Sequence, residues 1–178
     1  MPLSQRPPDC GRRLFTRYKA PNILPNERLF DFTIRNVDVS DVAELAQLMS
    51  ELGYETTKSE MHTRLERIGT DERYRTFVAV HDSKVCGMIG TLASPSYEHN
   101  DLGGRILALV TSKTMRRHGI GRALIATAEK DFAERGITRI ALNTRLARED
   151  AHKFYESVGY VRSGFRFAKD LSTNQARR

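Results

Sequence analysis

Residues 109–124 read LVTSKTMRRHGIGRAL. The first three close a nearly continuous apolar run, RILALVT (105–111), which suits a strand buried on both faces. From Gly119 onward Ile120, Leu124, Ala128 and Phe132 recur every fourth residue as far as Gly136, the period of an amphipathic helix with a glycine stop. Between strand and helix lies Arg116-x-x-Gly119-x-Gly121. The first amides of a helix have no intrahelical partner and sit at the positive end of its dipole, and glycines let an anion approach the backbone. Arg116, Arg117, His118 and Arg122 add cations. This is the chemistry of a pyrophosphate site. It is neither a P-loop, since no GK[ST] follows, nor a G-x-G-x-x-G dinucleotide turn. Taken alone, the same residues also fit a tight turn with solvated arginines.

Working outward, FTIRNV (32–37) alternates as a strand. Asp38 or Ser40 caps a helix with Val42, Leu45, Leu48, Met49 and Leu52 on one face before Gly53. Thr57 and Glu60 have capping-box spacing ahead of a second helix. RTFVAV (75–80) and VCGMIGTLA (85–93), joined by a polar turn, predict an antiparallel hairpin. After the long helix, ITRIALN (137–143) reads as a strand, EDAHKFYESV (149–158) as a helix, and YVRSGFRFAKDL (160–171) as a final strand pair or one bent strand. The expectation is an α+β, three-layer domain over 31–171, with a mixed, mostly antiparallel twisted sheet flanked by helices and one parallel crossover through the long helix. Residues 1–30, with most of the six prolines, read as a mobile basic leader, and 172–178 as a basic tail.

AHKFYESVGY (151–160) lies about thirty residues past the glycine turn. Together the two stretches resemble the GNAT superfamily of N-acetyltransferases, whose R/Q-x-x-G-x-G/A motif is followed at this distance by an A-x-x-x-Y helix ending in G-[FY]. The resemblance covers about 31–171 and is strongest over 107–160. It implies an acetyl-CoA-dependent enzyme. Residues 116–121 with Arg122 would wrap the CoA pyrophosphate, including His118 and Ile120, and Leu109, Val110 and Thr111 would lend backbone groups to the pantetheine arm and the thioester carbonyl. Tyr155 matches the tyrosine that protonates the departing thiolate. Two positions depart from the pattern: Thr111 stands where many relatives have Val, and Arg148 where many have Asn, so Asn143 is the candidate replacement contact.

Transfer to an amine at neutral pH also calls for a base, because freeing a lysine-like amine costs about 4 to 5 kcal/mol. Glu98 and His99, in the loop before the cofactor strand, are the candidates beside Tyr155, with Glu51 and Glu55 on the substrate wall between the first helices. Cys86 reads as packing, not as a nucleophile, and His81 as hairpin surface.

Charge sharpens this reading. The net +7 of 178 residues comes from the two ends, and the 131 residues between them are nearly neutral. That distribution argues against a folded nucleic-acid-binding face. No Cys/His spacing suits a metal, and no apolar run reaches the ~18 residues of a membrane span, so a cytoplasmic enzyme without metal is expected, with a homodimer left open. The acceptor is the amine of a small molecule or a protein; the contrasting reading is an acyl-CoA-binding regulatory module with little turnover.

Overall fold

The computed structural model describes residues 16–19 and 30–171. The rest of the expected leader and the 172–178 tail lie outside the described residues. The chain falls into two compact units, the second beginning at Asn143.

The first unit carries a six-stranded sheet with strands in sequence order: β1 (Thr16–Lys19), β2 (Asp31–Asn36), β3 (Tyr74–His81), β4 (Lys84–Pro95), β5 (Leu102–Thr111) and β6 (Ile140–Leu142). Neighbours pair antiparallel except β5 and β6, which are parallel, so the expected single crossover is present. It runs through α3 (Ile120–Glu134). β1 lies within the stretch read as a leader; TRYK has no apolar alternation to announce it.

Between β2 and β3 come α1 (Val42–Leu52) and α2 (Lys58–Gly69). Asp38 caps the 3-10 turn Val39–Asp41 that leads into α1, and the Asp41 carboxylate accepts from the Asp38 amide while also pairing with Arg35 at 2.7 Å. Thr57 and Glu60 form the expected capping box on α2. The β3–β4 hairpin turns at Asp82 and Ser83, both with positive φ, which matches the right-handed twist of its strands.

Strand alternation sorts the core into two sides. Val78, Met88 and Val110 pack with Val42, Leu45, Leu48 and Met61 of α1 and α2. The other face receives α3: a Cβ on Gly87 would stand 2.9 Å from Ile120 Cγ2, so only glycine lets the start of this helix sit so close to β4. Three layers result. Cys86 is buried, donates to the Ala79 carbonyl, and burial pushes its thiol up to about 11, consistent with packing. His81 is a correction: it is half-buried, bonded through Nδ1 to the Asp31 carbonyl at 2.6 Å and stacked on Phe30 at 4.2 Å.

The second unit holds α4 (Glu149–Ser157), followed by Gly159 at φ 93°. Neither the strand pair nor the single bent strand expected over 160–171 occurs among the described residues. Val161, Phe165, Phe167 and Leu171 alternate loosely, yet all are exposed, and alternation makes a strand only where a neighbouring backbone completes the ladder.

Candidate active site

β5 changes its pairing halfway along. Register runs Ile106 opposite Thr91 and then Ala108 opposite Gly90, so Leu107 is an extra residue, a β-bulge, and is 51% exposed. Two hydrogen bonds bracket it. Gly104 N–H donates to the Arg139 carbonyl at 2.8 Å, on the β6 side, whereas Ser112 N–H donates to the Cys86 carbonyl at 2.8 Å, on the β4 side. In an unbroken strand these two even-numbered amides would point the same way. The bulge reverses the alternation, so the backbone groups of Val110 face β4 and those of Leu109 and Thr111 face away from it. On that outer side β6 pairs only with Gly104–Ile106; past Ile106 no strand pairs with β5 among the described residues.

The strand then enters the glycine turn. A 3-10 turn, Lys113–Met115, opens with the Lys113 amide donating to Glu51 Oε2 at 2.7 Å, which ties the turn to the end of α1. Arg117 and Gly119 have positive φ, 70° and 79°. Gly119 is the N-cap of α3 and supplies no side-chain bond to the first-turn amides, and a Cβ placed on it would meet nothing within 4 Å. The ground above the helix start is therefore open, and Arg116 and Arg117 bring cations to it. Ile120, by contrast, is buried beneath the turn. The His118 ring packs on Phe30 at 4.3 Å. Outward amides, an uncapped helix start and guanidinium donors fit a pantetheine arm ending in phosphates.

The expected bases fare differently. Glu98 and His99 lie in the loop that joins β4 to β5, at the end of β5 opposite the glycine turn. From Leu102 to Leu109 the strand climbs roughly 20 Å at about 3.3 Å per residue. Glu98 and His99 are thus about a strand's length from the glycine turn, although they precede the same strand in sequence. Asp101 in the same loop is engaged by Arg139, whose hydrogen bond holds its carboxyl below the usual range.

Two adjoining cavities do reach the bulge, of about 360 and about 120 Å³. Met49, Arg64, Leu107 and Ala108 line both. The larger includes Tyr54 and Glu55 from the turn between α1 and α2. Glu55 carries the only carboxylate on either lining, and the polar helix face bearing Arg64 gave no local signal of it.

In the second unit, Tyr155 makes edge contacts with Phe154 at 5.4 Å and Tyr160 at 6.0 Å, and burial pushes its hydroxyl above its ordinary pKa while Arg148 pulls the other way. Asn143 is exposed at the start of this unit. His152 bonds to the Arg145 carbonyl at 3.1 Å.

Residues 42–160 match the profile of the Acetyltransferase (GNAT) family. The chain belongs to that family. An aminoalkylphosphonate N-acetyltransferase of Salmonella typhimurium is 33% identical over 149 residues, covering 77% of this chain and 97% of the relative. Among solved structures, a GNAT family acetyltransferase from Staphylococcus aureus is 27% identical with TM-score 0.68, covering 79% of this chain and 98% of that one. A protein described as a transcriptional regulator, from Bacillus halodurans, reaches TM-score 0.73 at 23% identity over 79% and 99% of the two chains, a likeness of fold. The GNAT protein is thus an N-acetyltransferase of α+β fold, and acetyl-CoA is the usual cosubstrate of its family. No helix among the described residues is long and apolar enough to cross a membrane, and no cluster of three metal-ligating side chains occurs among them.

Proposed function

We propose that this protein transfers an acetyl group from acetyl-CoA to the primary amine of a small molecule by direct attack within a ternary complex. The observation that carries this is the reversal at Leu107, which turns the Leu109 and Thr111 backbone outward on the strand that feeds the uncapped start of α3. Acetyl-CoA supplies an activated acyl group as a thioester.

In this reading the first-turn amides of α3, with Arg116, Arg117 and Arg122, hold the pyrophosphate, and the Thr111 backbone orients the pantetheine arm. The Leu109 N–H donates to the thioester oxygen, where negative charge develops. The side chain of Val110 stays in the core, and its amide stays in the ladder. The amine nitrogen forms its bond to the acetyl carbon, the carbon–sulfur bond breaks, the amine gives up a proton and the sulfur gains one. Glu55, on the cavity that reaches the bulge, takes the base role in place of Glu98 and His99, directly or through water. Tyr155 takes the acid role; its raised pKa keeps the hydroxyl protonated well beyond neutral pH.

A small acceptor suits the size of the two cavities and the activity for which the Salmonella relative is named. The test is thiol release from acetyl-CoA with a panel of small amines. Amine-dependent release supports the reading; tight CoA binding with no release from any amine would assign the protein to the binding-module class instead.

A further inference from the structure

The geometry points to an acceptor of narrower class: a small zwitterion that carries its amine, its anion and an apolar side group on one carbon, as an α-amino acid or a 1-aminoalkylphosphonate does, with Arg64 holding the anion. This rests on the acetyl-transfer reading above and names the substrate of that same site.

Arg64 stands where the two cavities meet. Its Nη1 donates to Thr56 Oγ1 at 2.9 Å, which fixes the guanidinium across the turn from α1. A guanidinium has five N–H donors in a planar fork suited to a carboxylate or phosphonate, and this bond uses one. Glu60, one turn back along the helix, accepts from the Thr57 amide and hydroxyl, both at 2.8 Å, and feels Arg64 only as a nearby charge, with no ion pair between them among the described residues. No ion pair among the described residues joins Arg64 to Glu55. The cleft therefore presents a fixed cation and a separate anion.

The smaller cavity supplies the third point. It lies between α2 and the sheet, and Met49, Met61, Leu65, Ile68 and Met88 give it an apolar wall, to which Arg64 and Arg75 add their aliphatic stems and no carboxylate is added. Apolar cavities of about 150 Å³ admit a benzene-sized guest, so about 120 Å³ suits an isobutyl-sized group. Methionines adapt to several shapes of such a group. A ligand with its side group in this slot and its anion on Arg64 has its ammonium left to face Glu55 in the larger cavity, beside Leu107 and Ala108, where the outward-turned strand begins. A diamine fits poorly, because its second ammonium meets either the apolar slot or Arg64.

The experiment compares leucine, leucinamide and glycine as acceptors, by thiol release and by calorimetry on CoA-saturated protein, in the wild type, Arg64→Gln and Arg64→Lys. Leucinamide lacks the anion and glycine lacks the side group. The amide also lowers the amine pKa, so intrinsic reactivity favours leucinamide and works against the expected result. Leucine is expected to exceed both by at least tenfold in kcat/KM. Arg64→Gln should erase the advantage over leucinamide through KM, and Arg64→Lys should restore part of it. The proposal is overturned if leucinamide matches leucine, or if Arg64→Gln lowers both alike; thiol release from amines would then still support acetyl transfer. Arg64-dependent leucine binding without thiol release from any amine would overturn acetyl transfer and keep the ligand class. Absence of both binding and release would overturn both.

Discussion

The two halves of β5 are made of the same kinds of residue and do opposite things. Gly104–Ile106 are paired on both sides, to β4 and to β6, so their backbone groups are spent on the sheet. Among the described residues Leu109–Thr111 are paired on one side only, and the bulge between the halves decides which amides are left over. In the paired half the backbone holds the fold. In the other it is available for a ligand, at the place where the chain is about to enter an uncapped helix. A single extra residue thus leaves backbone hydrogen-bonding groups unspent on the sheet; its own side chain, Leu107, is exposed, while Val110 remains in the core beside Met88.

The sharpest way to break this comparison is to remove single amides on either side of the alternation. Leu109→Pro deletes an N–H that faces away from β4. It should cut turnover by about 100- to 1000-fold, the usual loss for one oxyanion donor, while the folded state survives. Val110→Pro deletes a ladder bond and should destabilise the fold by about 3 kcal/mol or more in urea titration. If both variants lose the fold together, the two amides are equivalent and the alternation is wrong.

Next in size is Tyr155→Phe, which keeps ring packing and removes one proton donor. Turnover should fall about 10- to 1000-fold, with acetyl-CoA affinity within about fivefold of wild type. Because burial raises this hydroxyl above its ordinary pKa near 10, the wild-type rate should hold on the alkaline side until above that value, and a limb owed to Tyr155 should vanish in the variant. Equal falls in binding and rate would make Tyr155 a cofactor contact.

Gly121→Val probes the helix start that the outer half of β5 feeds. A branched side chain over the first-turn amides should weaken CoA binding by at least about tenfold, or about 1.4 kcal/mol, in calorimetry. Unchanged affinity with an intact fold would remove the anion site from α3. The smallest effect is expected at the paired end of β5: Glu98→Gln and His99→Gln should change kcat/KM by less than about twofold. A large loss in either would restore that loop to the site.

Much of this was legible in the sequence, because the relevant signals are periodic or local. The helical repeat from Ile120 to Phe132, the Thr57–Glu60 capping box and the glycine turn each sit within a few residues of chain. The bulge was not legible. RILALVT is apolar on both faces, so inserting a residue leaves no break in period, and only the register against Gly90 and Thr91 reveals it. The position of Glu98 and His99 was hidden for a related reason: residues adjacent to a strand in sequence lie a strand's length from its far end. Glu55 was placed on the substrate wall by its position between the first helices, but Arg64 carried no pattern of its own, since an exposed cation on a polar helix looks like solvated surface until the fold sets it on the same cleft. For 160–171 the failure ran the other way, with strand-like alternation and no ladder among the described residues.

The central claim is that β5 past Leu107 offers the Leu109 and Thr111 amides, and not that of Val110, to the cosubstrate. Amide hydrogen exchange, read residue by residue without and with acetyl-CoA, tests it most directly. The account predicts slow exchange at Val110 in both states, and faster exchange at Leu109 and Thr111 that slows by at least about tenfold on binding. Protection of all three amides in the free protein, or no change at Leu109 and Thr111 when acetyl-CoA saturates the enzyme, would contradict it.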